Sequence, residues 1–270
     1  EYFDAQGTAA NSNDLRGKIL RIKPKKEGGY TIPEGNLFPK DGSKGKPEIY
    51  VMGCRNPYRI AIDAKTGWLY WGNIGPDARD DSPDKRGPKG FDELEVAKKA
   101  GFHGWPFFIG NNIPYKRVDF DLDTAYEFFD ANAPINLSRN NTGIKQLPPA
   151  QPALLWYPYS KSKEFPHLGT SGRSAMAGPT IHYNYNKLPS KVQFPKYYDK
   201  SVLFYEWMRD KMWAIRLDEK GNFIEMERLF PQIKFSHPID VELGPDGALY
   251  VLEYGQGWFL QNNDAMLSRI

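Results

Sequence analysis

The sequence predicts an all-β fold, a β-propeller built from four-stranded blades. Aromatic residues make up 14% of the 270-residue chain, which also holds 25 Gly and 22 Pro, and this mixture is typical of strands and tight turns. Short β-branched or aromatic runs bounded by Gly, Pro, Asp or Asn recur along the chain, as strands do. These runs are GKILRIKP, EIYVMG, RIAIDA, WLYWGN, TIHYNY, SVLFYEW, KMWAIRLD, IDVELG and ALYVLEYG.

An internal repeat favours the propeller among all-β layouts. Ile60 to Gly75, IAIDAKTGWLYWGNIG, aligns with Val241 to Gly255, VELGPDGALYVLEYG, and SVLFYEWMRDKMWAIRLDEKGNF is a weaker third copy. Each copy consists of a strand, a polar turn and a second strand, which is typical of propeller blades of about 40 to 50 residues. Because only neighbouring blades can cover a blade's apolar faces, blades stack around an axis, and functional residues are expected at strand ends.

Two segments fit the repeat less simply. GFDELEVAKKAG fits a helix of about three turns and a strand followed by a loop equally well. Residues 111–171 are rich in Pro, Asn and aromatics without clear periodicity, which predicts a long loop insert. We expect residues 1–270 to form a single propeller domain of about four blades. Sequence upstream of Glu1 is expected to supply the N-terminal blades.

Composition excludes several functional classes. The formal net charge of +3 comes without a basic tract, which argues against nucleic-acid binding. No run approaches the roughly 18 apolar residues of a membrane span. The single cysteine, Cys54, excludes an internal disulfide framework and a multi-cysteine metal site. The sequence also lacks phosphate-loop, G-x-S-x-G, H-E-x-x-H and C-x-x-C motifs, so nucleotide-dependent and common hydrolase functions are not indicated.

Several motifs in order resemble the glucose/sorbosone dehydrogenase family. They are LRGKILRIKP, TIPEGNLFP, EIYVMGCRNPYRIAID, GNIGPD, DELEVAKKAGFHGWP and PIDVELGPDGALYVLEYG, from about Leu15 to Gly255. Members are soluble six-bladed β-propeller sugar dehydrogenases that use pyrroloquinoline quinone (PQQ). GRSAMAGPTIHYNY and LFYEWMRDKMWAI resemble the branch found in multidomain bacterial proteins beside cytochrome-type and sugar-binding modules. The resemblance implies a periplasmic or secreted bacterial protein, a sugar or alcohol substrate and a cytochrome-type electron acceptor.

The resemblance also implies which residues bind the quinone. Arg55 and Asn56, in the RNP motif, match the family's quinone contacts, and the planar fork of Arg55 suits polarisation of a quinone oxygen. Arg209 and His237 are further candidate quinone contacts, since His237 precedes a strand and could serve as a ligand or base. The alternatives are a turn for Arg55 and Asn56 and a structural role for His237.

Calcium is the second cofactor that the resemblance implies. The carbonyls of Gly75 and Pro76 match the family's ligands for the calcium beside the quinone, and calcium prefers such hard oxygen ligands. Asp92 and Glu93 match the acidic pair of a second, structural calcium, with a carbonyl near His103. For this pair a structural role is an equally good interpretation.

The sequence departs from the family at four points. Ile74 stands where quinone-binding relatives often carry Gln, and SHPIDV has no counterpart of the arginines that flank the quinone. Met208 occupies the place of a cationic contact, with Arg209 and Lys211 adjacent. The family's general-base histidine lies upstream of GKILRI, and none of the chain's histidines sits there; they are His103, His167, His182 and His237.

These observations predict an oxidoreductase, a quinone-dependent dehydrogenase that transfers hydride from a sugar or alcohol to PQQ with calcium assisting. The catalytic residue in this chain is Arg55, and the base is expected from the missing blades, so the chain alone is expected to be inactive. The alternative is a non-catalytic propeller that binds carbohydrate or serves in assembly. Ile74 and the absent arginines favour the alternative, whereas Arg55, Asn56 and the Gly75-Pro76 step favour the dehydrogenase.

Overall fold

The structure is a computed structural model that describes residues 4–119, 121–183 and 192–270. Strands and turns make up these residues, and the helical segments within them are two short 3-10 turns, Pro166–Leu168 and Lys196–Tyr198. The predicted all-β fold class is confirmed. Within the described ranges, no helix is long and apolar enough to cross a membrane.

The described residues form twenty strands, numbered in chain order. They are β1 (Lys18–Leu20), β2 (Lys23–Pro24), β3 (Tyr30–Thr31), β4 (Ile49–Met52), β5 (Pro57–Ile62), β6 (Leu69–Asn73), β7 (Asp92–Ala97), β8 (Gly101–Phe102), β9 (Phe108–Ile109), β10 (Ile113–Pro114), β11 (Lys116–Asp119), β12 (Thr124–Phe128), β13 (Leu155–Tyr157), β14 (Ala175–Thr180), β15 (Val202–Glu206), β16 (Lys211–Leu217), β17 (Phe223–Leu229), β18 (Pro238–Leu243), β19 (Leu249–Glu253) and β20 (Met266–Arg269).

The chain divides into two compact units. Unit 1 comprises residues 1–57, 75–91 and 97–153, and unit 2 comprises residues 58–74, 92–96 and 154–270. Unit 1 holds the antiparallel pair β1 and β4, with β8 added parallel to β4, and three two-stranded hairpins. Its core is aromatic around Phe102, Phe107 and Phe108. The single domain expected for residues 1–270 stays a prediction.

Unit 2 contains the blade-like sheets. Strands β5, β6, β7 and β13 form one four-stranded sheet, and β14 to β17 form another; β18 to β20 form a three-stranded sheet. Each of these sheets follows chain order, as propeller blades do. The copies of the internal repeat fall on hydrogen-bonded strand pairs, namely β5 and β6, β15 and β16, and β18 and β19.

Both faces of the β14–β17 sheet are buried within unit 2. Phe204 and Trp213 belong to a core cluster shared with Tyr70 and Tyr157 of the β5–β13 sheet. Leu203 and Tyr205, the neighbours of Phe204 along β15, belong to a second cluster that includes residues of β18 and β19. Since successive strand residues point to opposite faces, one sheet contributes to two cores, which is the stacking expected of blades.

The first and second sheets of unit 2 approach closely at a glycine. A Cβ atom added to Gly72 in β6 would lie 1.9 Å from the carbonyl oxygen of Ala175 in β14. A side chain therefore does not fit at position 72, and the approach requires glycine in this strand.

The structure corrects two local predictions and decides between the two alternatives for a third segment. The strand placed at TIHYNY lies earlier, at Ala175–Thr180, and the end of that run, residues 184–185, falls outside the described residues. DELEVA is the strand β7 rather than a helix. Residues 111–171 are not a plain loop, since they include the β11–β12 hairpin and β13. Strand β13 pairs with β7, so the chain runs through unit 1 between the third and fourth strands of the first blade-like sheet.

Candidate functional site

Unit 1 contains a cleft that brings together three of the predicted site residues. Arg55, Asn56 and Pro76 line it, and its volume is about 1050 Å³. Trp105 forms part of the wall, and the Arg55 guanidinium carbon lies 6.0 Å from the centre of its ring. The RNP motif and the Gly-Pro step therefore line the same cleft, and their roles in binding quinone and calcium stay predictions.

Backbone hydrogen bonds fix the turn that presents Arg55 and Asn56. Strand β4 ends at Met52, and Gly53 adopts φ +85°, which favours glycine. The Gly53 N–H donates to the Ala9 carbonyl at 3.2 Å, and the Gly53 carbonyl accepts from the Trp105 N–H at 3.0 Å. A Cβ at Gly53 would lie 2.4 Å from the Phe102 ring. Arg55 and Asn56 are exposed, and they follow a turn whose backbone is fixed by the hydrogen bonds of Gly53 to Ala9 and Trp105.

Lys18 lies buried behind the cleft wall, and sequence reasoning did not single it out. Its ammonium donates to the carbonyls of Thr8 at 3.0 Å, Ala9 at 2.9 Å and Arg16 at 2.9 Å, and all three of these residues line the cleft. Burial lowers the pKa of Lys18 to about 8. The signal in the sequence was a lysine at the start of the strand segment GKILRI, which alone does not reveal its partners.

Gly75 and Pro76 run tightly beside the segment that precedes β7. A Cβ added to Gly75 would lie 1.7 Å from the Phe91 carbonyl oxygen, and one added to Gly90 would lie 1.7 Å from the Pro76 carbonyl oxygen. No cluster of three or more His, Cys, Asp or Glu side chains that could hold a metal occurs among residues 4–119, 121–183 and 192–270. A calcium site at Gly75 and Pro76 would therefore draw on backbone carbonyls, and it stays a prediction.

In unit 2 the predicted acidic pair lies at the start of β7, and its two carboxylates have different partners. Asp92 is fully buried; its carboxylate lies 3.4 Å from the Arg173 guanidinium and accepts the Ala175 N–H at 3.1 Å. Glu93 accepts from the Asn73 amide at 3.0 Å. Because the two residues are adjacent in a strand, their side chains point to opposite faces. The second calcium site at Asp92 and Glu93 stays a prediction.

Glu206, the last residue of β15, is a buried carboxylate near Asp92. It accepts from the Tyr157 hydroxyl at 2.7 Å, from the Arg209 N–H at 3.0 Å and from the Ser174 N–H. Burial raises the pKa of Glu206 to about 7, and the negative charge of Asp92 adds to the rise. Asp92, Arg173, Glu206 and Tyr157 thus form a buried polar cluster where the strands of unit 2 begin or end.

The structure gives Arg209 a set of backbone partners. Its guanidinium is buried and donates to the carbonyls of Gly172 at 2.8 Å, Pro158 at 3.0 Å and Leu168 at 3.1 Å. It also lies 4.6 Å from the centre of the Tyr157 ring. A quinone contact by Arg209 stays a prediction, and it would require the guanidinium to release some of these bonds.

His237 is held in a similar way, just before β18. It adopts φ +55°, and its Nδ1 lies 2.8 Å from the Trp207 carbonyl and 2.9 Å from the Asp210 carboxylate. Its ring stacks on Trp207 with centres 4.5 Å apart. These contacts agree with the structural alternative for His237, and a role as ligand or base stays a prediction.

Comparisons with known proteins identify the fold family. Residues 1–133 match the family model described as Glucose / Sorbosone dehydrogenase. Aldose sugar dehydrogenase YliI of Escherichia coli K12 is 26% identical over 251 residues, covering 91% of this chain and 50% of that protein. Over residues 1–133 the chain is similar to the glucose/sorbosone dehydrogenases.

The chain also matches solved structures described as glucose or aldose sugar dehydrogenases. A structure described as a glucose dehydrogenase of Thermus thermophilus superimposes with a TM-score of 0.57 at 20% identity, over 99% of this chain and 58% of that one. The PQQ-bound aldose sugar dehydrogenase of Streptomyces coelicolor gives a TM-score of 0.50 at 16% identity, over 97% of this chain and 54% of that one. The propeller fold predicted for the chain is confirmed.

The chain spans about half the length of these solved relatives. Among plant proteins, the HIPL1 protein of Arabidopsis thaliana is 26% identical over 185 residues, covering 64% of this chain and 21% of that protein. The match to YliI likewise covers half of that enzyme. The activity, substrates and partners of the whole protein are therefore proposals.

Proposed function

We propose that this chain is part of an enzyme that oxidises a hydroxyl group of a sugar or alcohol with PQQ as cofactor and calcium assisting. The observation that carries the proposal is the unit 1 cleft, where Arg55, Asn56 and Pro76 meet. Three of the proteins named above are described as glucose or aldose sugar dehydrogenases, and one of these three is described in its PQQ-bound form.

The cleft suits a quinone of this type in size and chemistry. PQQ is a flat aromatic tricarboxylate, and the cleft volume of about 1050 Å³ is at the upper end of small-molecule sites. The Arg55 guanidinium can bind a carboxylate or quinone oxygen through two parallel hydrogen bonds. Trp105 offers an aromatic wall beside it, against which a flat ring can stack.

The chain's own residues bind and orient the ligands. When bound, PQQ supplies the hydride acceptor. Arg55 would hold a quinone oxygen and Asn56 would offer an amide to the same ligand, while Lys18 keeps the wall carbonyls in place. None of the described residues that line the cleft is a histidine, so the proposal places the general base elsewhere in the whole protein.

Further parts of the proposal concern metals, partners and location. Carbonyls of Gly75 and Pro76 would hold the calcium beside the quinone, and Asp92 and Glu93 would contribute to a second calcium site. Electrons would pass to a cytochrome-type acceptor. A periplasmic or secreted location fits this chemistry, and no basic tract in the sequence suggests a nucleic-acid partner.

The test is a titration of the full-length protein with PQQ in the presence of calcium, followed by visible absorbance while sugars are added. Arg55→Ala is expected to weaken quinone binding about tenfold or more, since a hydrogen bond to a charged group contributes roughly 1.5–3 kcal/mol. Arg55→Lys keeps the charge but loses the fork, so its affinity is expected to fall between the two.

The matched control is Arg117→Ala, which removes a guanidinium from the β11–β12 hairpin, where it pairs with Glu127 at 2.9 Å. This variant is expected to bind the quinone as the parent does. Absence of quinone binding at micromolar concentration with calcium present would reject the redox function. Sugar binding without quinone binding would then favour the non-catalytic carbohydrate-binding module.

A further inference from the structure

The loop between β19 and β20 carries exposed aromatic side chains. Residues 254–265, here named the aromatic loop, have the sequence YGQGWFLQNNDA. Trp258 is 54% exposed, and Phe259 is 90% exposed. Large apolar side chains exposed together are a frequent mark of an interaction site.

Hydrogen bonds within and beside the aromatic loop hold it in one shape. The Asn262 amide donates to the carbonyls of Tyr254 and Gly257, both at 2.9 Å, and accepts the Gly257 N–H at 2.9 Å. The Asp264 carboxylate accepts the Gln256 N–H at 3.0 Å. Trp258 is therefore exposed on a loop of fixed shape. A ligand that binds there causes little further loss of loop conformational entropy.

Trp258 is also supported from below by buried rings. The Trp207 and Trp258 ring centres lie 4.8 Å apart in an edge-to-face contact, and Trp207 itself stacks on His237. His237 is fixed by its bonds to the Trp207 carbonyl and the Asp210 carboxylate. These ring contacts hold the Trp258 side chain in place, while more than half of its surface is exposed to solvent.

The chemistry of the aromatic loop favours a neutral sugar ring. The electron-rich face of an indole attracts weakly positive C–H groups, and one face of a pyranose ring presents several of them. Gln261 and Asn263 are exposed amides of the same loop, and amides both donate to and accept from hydroxyl groups. The loop sequence contains no Lys or Arg, so a phosphate-bearing or nucleic-acid ligand has no cation to contact.

The position of the aromatic loop also fits a ligand site. Strand β19 ends at Glu253, β18 begins at Pro238 and β15 ends at Glu206, and contacts among Trp207, His237 and Trp258 join these ends. The loop thus lies at the end of the unit 2 sheets where strands stop, which is the location expected for functional residues in propeller blades.

We propose that the aromatic loop is a carbohydrate subsite in which a pyranose ring of a neutral glycan stacks on Trp258. The subsite deepens the proposed function and rests on it for the role of the bound sugar, but the binding itself requires neither quinone nor calcium. Gln261 and Asn263 hydrogen-bond the hydroxyl groups at the rim of the stacked ring.

The test is isothermal titration of the 270-residue chain, free of quinone and calcium, with maltohexaose, cellohexaose, xylohexaose and laminarihexaose. At least one of these glycans is expected to bind with a dissociation constant between about 1 µM and 1 mM. Trp258→Ala is expected to weaken that binding about tenfold, and Trp258→Tyr is expected to retain most of it. The double variant Gln261→Ala, Asn263→Ala is expected to weaken binding while it leaves the Trp207 contact intact.

The matched control is Tyr197→Ala, because Tyr197 is 59% exposed and lies before β15, at the opposite end of that strand. Its glycan affinity is expected to equal that of the parent chain. Unchanged affinity of Trp258→Ala, or no binding of any of the four glycans at about 10 mM, overturns the subsite. Self-association that Trp258→Ala abolishes, without glycan binding, would likewise overturn it and make the loop a protein interface. Glycan binding in a protein that fails to bind PQQ would reject the proposed redox function and leave the subsite standing.

Discussion

Arg209 shows how a single charged residue can be structural at a place where function was expected. The residue is 6% exposed, and its guanidinium donates to the carbonyls of Pro158, Leu168 and Gly172, which lie 37 to 51 residues earlier in the chain. Buried carbonyls need such partners, because unsatisfied ones cost free energy. One arginine therefore fixes a segment that has little regular structure of its own.

Removal of this guanidinium is expected to lower the stability of the chain without any quinone present. Arg209→Ala should reduce the free energy of unfolding by about 3 kcal/mol or more, since several buried carbonyls lose their donor. Arg209→Lys should not restore it, because an ammonium group cannot reach the same set of acceptors. Urea unfolding of the quinone-free protein measures both effects.

The control is Arg216→Ala, which removes a partly exposed guanidinium paired with Glu225 at 2.5 Å; surface pairs of this kind contribute about 0–1 kcal/mol. If Arg209→Ala unfolded like this control and lost only quinone affinity, the structural assignment of Arg209 would be wrong.

The sequence indicated which residues share the cleft more readily than it indicated buried partners, for a physical reason. Arg55, Asn56 and Pro76 lie in motifs with a distinctive order, and they share one cleft in the structure. The partners of Arg209 are backbone carbonyls, which every residue type has. No pattern of side chains in the sequence therefore indicates which carbonyls they are. The Tyr157 hydroxyl on Glu206 joins strands 49 residues apart, a pairing that local sequence patterns do not contain.

At the scale of elements, the sequence predicted the hairpins but placed one strand later in the chain than the structure does. The copies of the repeat fall on hairpins because their strands alternate around a polar turn, a signal that lies within about 15 residues. Strand β14 has the sequence AMAGPT, in which Thr180 is the one β-branched residue and none is aromatic, so the residues that mark strands are scarce. Within β14, a Cβ added to Gly178 would lie 3.0 Å from the Leu203 Cβ of β15, so packing favours glycine there, and glycine weakens the sequence signal for a strand.

The close approach at Gly72 predicts a specific sensitivity. Gly72→Ala should lower the free energy of unfolding by about 1–3 kcal/mol, because the new methyl group would overlap the Ala175 carbonyl and force the sheets apart. Gly101→Ala in β8 is the matched control, since the Cβ there would first meet the flexible Gln151 side chain at 3.3 Å. Thermal unfolding by circular dichroism compares the two. Equal effects of the two substitutions would refute the proposed overlap.

At the scale of the whole molecule, buried carboxyl groups couple stability to pH. Burial raises the pKa of Glu206 to about 7 and that of Glu95 to about 8. A carboxyl group whose folded pKa exceeds its unfolded value holds a proton that unfolding releases. Its contribution to stability is therefore complete below the unfolded pKa of 4.5 and is lost as the pH rises through the folded pKa.

Glu206→Gln tests this coupling because the amide does not titrate. The stability of the parent relative to Glu206→Gln should fall by up to about 3 kcal/mol between pH 4.5 and pH 7, as measured by urea unfolding across that range. The control Glu219→Gln replaces an exposed carboxyl and should show a much smaller change. A difference between parent and Glu206→Gln that is independent of pH would show that Glu206 stays ionised when buried.

The path of the chain through the first blade-like sheet has a consequence for the order of folding. Strands β7 and β13 are hydrogen-bonded neighbours, yet about 60 residues separate them in the chain. Closure of a loop that long is slow compared with formation of a hairpin, so β5, β6 and β7 can pair well before β13 arrives. During that interval β7 is an open edge with free N–H and C=O groups, available to other chains. The yield of soluble protein on refolding should therefore fall steeply with protein concentration. A chaperone that covers the edge of β7 until β13 pairs with it should raise that yield.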